Sequence, residues 1–303
     1  YPEGDLNIYS HYKGTLGVPL SHSWQKIFAA NYLREPRLLF TGALEANSKL
    51  LLRRQIQARL KAIAPFLRFE NAPYLVTASL PPGSGFKRGV HQFWFVDGFT
   101  TSRSYPYSEA NSQGLRYLRN PVKAIVDAYT GDVRFYVSDP QDPILRTWQR
   151  IFPELFAPLA EMPKELLKHI QVPQSQFAIQ AEMLLRFHVT DVRTFYNGDD
   201  VWDIPLEIYG NRSVEVRPYH VTLQLPGEKR PEFVLLLPFS PLKRPNLVGW
   251  LAARNDGSAY GKLRLVRFPQ QRLLLGTQQI SALIEQDPVI SRQFGLWNRQ
   301  GSE

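Results

Sequence analysis

Residues 122–137 read VKAIVDAYTGDVRFYV. Two apolar, β-branched and aromatic runs, Val122–Tyr129 and Val133–Val137, flank Thr130, Gly131 and Asp132. Runs of that kind around a Gly-Asp turn signal predict a β-hairpin. A second pair of runs, Val214–Leu225 and Glu232–Leu237, brackets PGEKRP (226–231) and predicts another. Tyr74–Thr77 and Val90–Val96 also read as strands, separated by the Pro/Gly loop SLPPGSGFKRG (79–89). Lys262–Phe268 alternates basic and apolar residues, as a half-exposed strand does.

Helical signals surround these strands. Trp24, Ile27, Phe28 and Leu33, with Tyr32, recur at helical spacing after Ser21–His22–Ser23. A longer helix is predicted from Asn47 or Ser48 to the residue before Pro65, with Leu52, Ile56, Leu60 and Ile63 as its apolar stripe. Its off-stripe arginines and lysine also suit a membrane surface, but packing of the stripe on a core is the reading adopted. Asp142–Pro143 is a strong helix start, a carboxylate cap followed by Pro at the first helical position, and Asp287–Pro288 repeats it. Ser175–His188 predicts a further helix, followed by a short one capped by Thr190 and closed near Gly198. Strand-rich portions around helices, rather than strict alternation, predict an α+β fold: antiparallel sheets with packed helices and a helical N-terminal lead-in. The expected organisation is a lead-in over 1–70, a first α+β portion over 71–170 and a second over 171–303.

Composition narrows the function classes. The 303 residues contain no Cys, which excludes disulfide scaffolds, thiolate nucleophiles and Cys-built metal centres. No run approaches the roughly 18–20 apolar residues of a membrane span. Lys and Arg number 36 against 27 Asp and Glu, a net charge of +9 that favours anionic partners. The cations are scattered and accompany no nucleic-acid module, so no nucleic-acid partner is expected. The chain opens at Tyr1 rather than Met, which is read as a piece of something longer.

No nucleophile elbow, zincin helix, phosphate loop or dinucleotide fingerprint is present, so no catalytic residue, metal ligand or cofactor is assigned. Three weaker constellations remain. Asn197–Gly198–Asp199–Asp200 with Asp203, near His188 and Asp191, has oxygen ligands but not the spacing of a calcium loop, and is read as a turn. Asp97, Arg103, Tyr105 and Tyr107 in DGFTTSRSYPYSE (97–109) form the preferred ligand-binding candidate, since aromatic faces stack on ligands while charges orient them. His91 is read as a structural histidine, for want of a partner that would make it a general base.

Long stretches carry a family likeness. RRQIQARLKAIAPFLRFENAPYLV (53–76), DGFTTSRSYPYSE (97–109), RNPVKAIVDAYTGDVRFYVSDPQDPILRTWQRIFPELFAPLAEMP (119–163), QAEMLLRFHVTDVRTFYNGDDVWDIP (180–205) and LPFSPLKRPNLVGWLAARNDGSAYGKLRLVRFP (237–269) together resemble the uncharacterised protein family 0182. The resemblance implies an extracytoplasmic soluble domain of a large bacterial or cyanobacterial multi-pass protein of the cell membrane, with its own N-terminal transmembrane region as first partner. It also implies further strand-like sequence past Ser302 and a shorter turn in relatives at 79–89. It carries no known activity and no catalytic residues. The expected function is binding of an envelope protein or of an anionic envelope polymer or lipid. The alternatives are an envelope hydrolase or transferase built on His91, Asp97 and the nearby tyrosines, and a gating or sensor domain of a transporter.

Overall fold

A computed structural model describes residues 2–3, 6–7, 12, 14, 16–82, 89–209, 212–269 and 271–299. Most of the Pro/Gly loop (its residues 83–88) and the end of the chain around Ser302 lie outside them. Helices packed on largely antiparallel sheets make this an α+β fold. The chain divides into two compact units, Tyr1–His169 and Ile170–Glu303. Among the described residues, no helix is long and apolar enough to cross a membrane.

The first unit contains helices α1 (Ser23–Leu33) and α2 (Ile56–Ile63), then strands β1 (Arg68–Phe69), β2 (Tyr74–Leu80), β3 (Gly89–Ser102), β4 (Tyr117–Asp127) and β5 (Val133–Val137). Helix α3 (Pro143–Ile151), strand β6 (Phe156–Pro158) and helix α4 (Lys164–Leu167) follow. The sheet runs β6-β5-β4-β3-β1, with β2 also on β3; every pairing is antiparallel except β6 on β5. The expected hairpin is β4–β5, in register from Val122↔Val137 to Val126↔Val133. Its turn needs Gly131, whose φ is +77°, a left-handed value that side chains with a Cβ disfavour.

Both faces of this sheet are buried, so its central strands are apolar almost throughout. One face carries Val96, Val122, Ala124, Val126, Phe135 and Val137, covered by Leu60 and Ala64 from α2 and its end and by Leu145 from α3. Phe66 stacks on Trp148 of α3 at 4.0 Å between ring centroids. The other face carries Phe93, Phe95, Asp97, Lys123, Ile125 and Tyr136, all buried. Each fully buried Phe contributes about 1.5–3 kcal/mol.

The strand expected over Val90–Val96 runs on to Ser102 and takes in Asp97. Residues 97–102 continue β3, and Asp97 is only 4% exposed. It is tolerated there because Lys123, its cross-strand partner on β4, donates from Nζ to its Oδ1 at 2.5 Å. Burial pushes the Asp97 carboxyl up from its ordinary value, and the attraction of Lys123 pulls it back down. One step further along, the register shifts between Gly98 and Thr100, where β4 carries an extra residue at Asn120–Pro121. The Asn120 amide donates to the Gly98 carbonyl at 3.0 Å across this bulge. Gly98 sits tightly against β4, since a Cβ there would lie 3.1 Å from that of Val122, which would have to give by a few tenths of an ångström.

A second buried carboxylate ties α3 to the sheet. Asp142 caps α3 by accepting from the Leu145 amide at 2.6 Å, as its position before Pro143 predicts. Its other oxygen accepts from Thr100 of β3 at 2.9 Å and from the Tyr117 hydroxyl of β4 at 2.5 Å. Burial, and then the hydrogen bond to Asp142, push the Tyr117 phenol up.

Helix α2 begins at Ile56, not at Asn47 or Ser48: Lys49–Leu50 pairs in an extended bridge with Val18–Pro19, and Arg53 takes a left-handed φ of +51°. Helix α1 forms where expected, but its apolar residues are not its core face. Ala29 and Ala30 are buried, whereas Trp24, Ile27, Phe28, Tyr32 and Leu33 are exposed.

The second unit holds helices α5 (Gln174–Phe187) and α6 (Val192–Asn197) and strands β7 (Trp202–Asp203), β8 (Leu206–Tyr209), β9 (Arg212–Glu215), β10 (Tyr219–Leu223), β11 (Glu232–Pro241), β12 (Gly249–Arg254) and β13 (Leu263–Arg267). Helices α7 (Thr277–Gln286) and α8 (Pro288–Arg299) close it. The sheet order is β7-β11-β12-β13, with β10 also on β11. The expected hairpin across 226–231 is β10–β11, but the predicted long strand 214–225 is split. Its start belongs to the separate hairpin β8–β9, and Pro218, which has no N–H to pair, stands in the break. Pro238 is accommodated inside β11 because β10 pairs only to Leu236 and β7 only from Ser240. Its missing donor faces that gap: the neighbouring Phe239 carbonyl points the other way, accepting from Val248 at 2.9 Å. The cap of α6 is Asp191 rather than Thr190; it accepts from Thr194 N at 2.8 Å, which holds its carboxyl below the ordinary value.

The buried pair makes the first unit sensitive to losing either partner. Lys123→Met should cost about 3–5 kcal/mol by stranding Asp97, and Asp97→Leu with Lys123→Met should recover most of it. In the single variant Asp97 folds with its pKa raised further above the unfolded value. Its penalty is therefore absent at pH below about 4 and grows as pH rises toward neutrality. Urea unfolding across that range checks the sign; a deficit that shrinks with rising pH would contradict it.

Candidate functional site

The residues expected to bind ligand do not converge. Asp97 is buried and occupied by Lys123, while Arg103, Tyr105 and Tyr107 lie in the exposed segment after β3. Tyr105 packs against Tyr117 at 5.4 Å between ring centroids. Tyr107 is fully exposed, with a left-handed φ of +56°. His91 sits six residues before Asp97 on the same strand, about 20 Å away at strand rise. The two do not meet over a common substrate atom, and His91 instead pairs opposite Ala78 and leans on Phe93.

In the second unit Gly198 closes α6 with a φ of +71° and residues 198–200 form a turn. Among the described residues no group of three or more His, Cys, Asp or Glu is placed to hold a metal. His188 is buried, stacks on Trp202 at 3.6 Å between ring centroids and places Nδ1 2.6 Å from the Leu184 carbonyl.

A concave site lies in the first unit, at the turn of the β4–β5 hairpin. It is a cleft of about 690 Å³ between that turn and the segment leading into α2. Tyr12, Arg54, Gln55, Arg59, Trp94 and Tyr129 supply its aromatic and polar lining. The turn wall is rigidly built: Asp127 Oδ1 accepts from the amides of Tyr129 and Thr130 at 2.8 Å each, and Gly131 N donates to the Asp127 carbonyl at 2.8 Å. The opposite wall is fastened by Arg59, which donates from Nε to the Arg53 carbonyl and from Nη2 to that of Leu52, both at 3.2 Å. Its guanidinium lies so close to Gly131 that a Cβ there would come within 3.0 Å. Gln57 donates to the Glu70 carbonyl at 2.5 Å, and Glu70 N donates to the Asp97 carbonyl at 2.8 Å, so the cleft is anchored to the strand that holds the buried pair.

This lining has a definite chemistry. Tyr12 and Tyr129 face each other at 5.5 Å between ring centroids. Arg54 is exposed and makes no hydrogen bond or ion pair among the described residues, whereas Asp127 is consumed by the turn. Aromatic rings beside an uncommitted guanidinium suit a polar ligand that bears a carboxylate or phosphate. Sequence reasoning missed the cleft because its walls are some seventy residues apart in the chain; only the hairpin at 122–137 pointed to one of them.

The profile of the uncharacterised protein family UPF0182 matches residues 1–297. A UPF0182 protein of Prochlorococcus marinus (strain MIT 9303) is 56% identical over 306 residues, covering 100% of this chain and 32% of its own length. One of Nostoc sp. (strain PCC 7120) is 50% identical over 303 residues, with 100% of this chain and 30% of its own length covered. One of Thermosynechococcus vestitus is 49% identical over 308 residues. The chain thus spans about a third of the length of the curated relatives it matches. No solved structure matches it.

If Arg59 is what fastens the 51–55 wall, Arg59→Met should raise amide hydrogen exchange there while β4 and β5 stay protected. Unchanged exchange at 51–55 would assign that wall's order to other contacts.

Proposed function

We propose that this chain, which belongs to the uncharacterised protein family UPF0182, is an extracytoplasmic binding module of a longer multi-pass protein of the cell membrane. Its cleft takes an anionic segment of an envelope polymer. The observation that carries the ligand reading is that Arg54, without a partner among the described residues, lines the same hydrogen-bonded cleft as the packed rings of Tyr12 and Tyr129. A guanidinium recognises carboxylate or phosphate through paired hydrogen bonds, and the packed tyrosine rings in the same cleft contribute contact area without much entropy loss. The net charge of +9 draws such a polymer toward the surface. The location reading is supported by the share of its relatives that the chain spans and by the membrane character that the family resemblance implies. In that setting the first partner is the membrane region of the same protein.

Two measurements test the two parts separately. Because the chain has no Cys, Tyr107→Cys in the full-length protein creates a defined, fully exposed thiol in this region. A membrane-impermeant maleimide should label it in intact cells stripped of outer layers; labelling only after lysis would overturn the location. For the ligand, the purified 303-residue chain should bind polygalacturonate but not neutral dextran. Arg54→Ala should weaken that binding about tenfold, the loss of one charge-assisted hydrogen bond. Equal binding of both polymers, or no effect of the substitution, would overturn the cleft assignment.

A further inference from the structure

Helix α1 is attached to the first unit by its small residues and leaves its large ones outside. Ala29 and Ala30 are buried, while Trp24, Phe28 and Tyr32, spaced at i, i+4 and i+8 with Ile27 beside them, form an outward stripe. Trp24 is 58% exposed and Phe28 67%, and their rings meet edge to face at 6.1 Å between centroids. The apolar surface continues into the single 3₁₀ turn Pro36–Leu39, after which Phe40 is 86% exposed. Aromatic and aliphatic side chains in such a stripe gain by leaving water, and among the described residues of the unit this one is left exposed.

The charges around the stripe say what covers it. From Ser21 to Leu44 the chain has Lys26, Arg34 and Arg37 against Glu35 alone, a net charge of 3 − 1 = +2. Glu35 is partly occupied, accepting from the Arg37 amide at 3.3 Å. Arg34 ends α1 in a left-handed conformation with φ +55°, and both arginines are exposed in the segment between α1 and Phe40. Trp and Tyr concentrate where hydrocarbon meets polar headgroups, and arginine pairs with phosphate. We infer that the α1 stripe and the turn after it rest on a bilayer rich in anionic phospholipid, with Trp24, Ile27, Phe28 and Phe40 in the interface and Arg34 and Arg37 on lipid phosphates. Helix α2, whose basic amphipathic sequence looked the more membrane-like, instead buries Leu60 in the core and is not available for this contact.

The inference rests on the reading that this chain works beside a membrane but not on the cleft or its ligand. Co-sedimentation of the 303-residue chain with extruded vesicles tests it. The chain should bind phosphatidylglycerol–phosphatidylcholine vesicles, not phosphatidylcholine alone, and release as salt is raised. Trp24→Ala with Phe28→Ala should lower the partition coefficient about tenfold or more. Arg34→Gln with Arg37→Gln should lower it about tenfold and flatten the salt dependence. All four residues are exposed, so thermal unfolding should not move; where the double aromatic variant fails to unfold cooperatively, Phe28→Gln alone replaces it. Absence of vesicle binding, binding indifferent to both pairs, or a stripe variant that changes only the oligomeric state in sedimentation velocity would each overturn the inference. The impermeant-maleimide result is independent of all three, so failure here leaves the location reading standing.

Discussion

A carboxylate and an ammonium buried opposite each other decide how the first sheet can be assembled. Asp97 and Lys123 sit on adjacent strands, 4% and 3% exposed, and each is tolerable inside only because the other is there. A shift of either strand by one residue would carry that strand's charge to the other face and leave the two apart. The bulge at Asn120–Pro121 begins beside the pair, so the register is fixed on one side of it and changed on the other. The second buried carboxylate, Asp142, works past that bulge, joining Thr100, Tyr117 and the start of α3. Helix and sheet are therefore joined by polar contacts that only one arrangement satisfies, within an otherwise apolar interior.

From that register the cleft follows. The hairpin turn stands at the far end of β4 from the bulge, and Asp127, opposite Phe93, is aimed at the amides of its own turn. Arg59 then presses the 51–55 segment against Gly131, and Gln57 ties α2 through Glu70 to the strand carrying Asp97. A ligand entering there meets walls that are already ordered, which lowers the entropy cost of binding. The outward stripe of α1 belongs to the same unit but to a different physics, since its residues gain only when something apolar covers them.

What could be read from the sequence was local. The hairpin at 122–137 and the two Asp-Pro helix starts depend on neighbours within a few residues, and they appear where expected. The strand after Val90 was drawn to end at Val96 because the residues beyond it are mostly polar; what holds Asp97 inside the sheet is Lys123, twenty-six positions away. Helix α2 was drawn too long because a left-handed Arg53 is invisible in an apolar period. The periodicity of α1 was real, yet periodicity does not say which side of a helix faces the protein. The cleft combines Tyr12, Arg54, Trp94 and Tyr129 from four separate segments, a convergence that only the fold creates.

Whether the cleft at the hairpin turn meets an anionic envelope polymer outside the cytoplasm is tested most directly by a photo-crosslinking amino acid at Tyr129 in the full-length protein, irradiated in its native membranes. Mass spectrometry should then find carboxylate- or phosphate-bearing polymer attached to the turn, with the adduct lost when Arg54 is replaced by Ala. Adducts to cytoplasmic proteins, or polymer adducts indifferent to Arg54, would contradict the proposal.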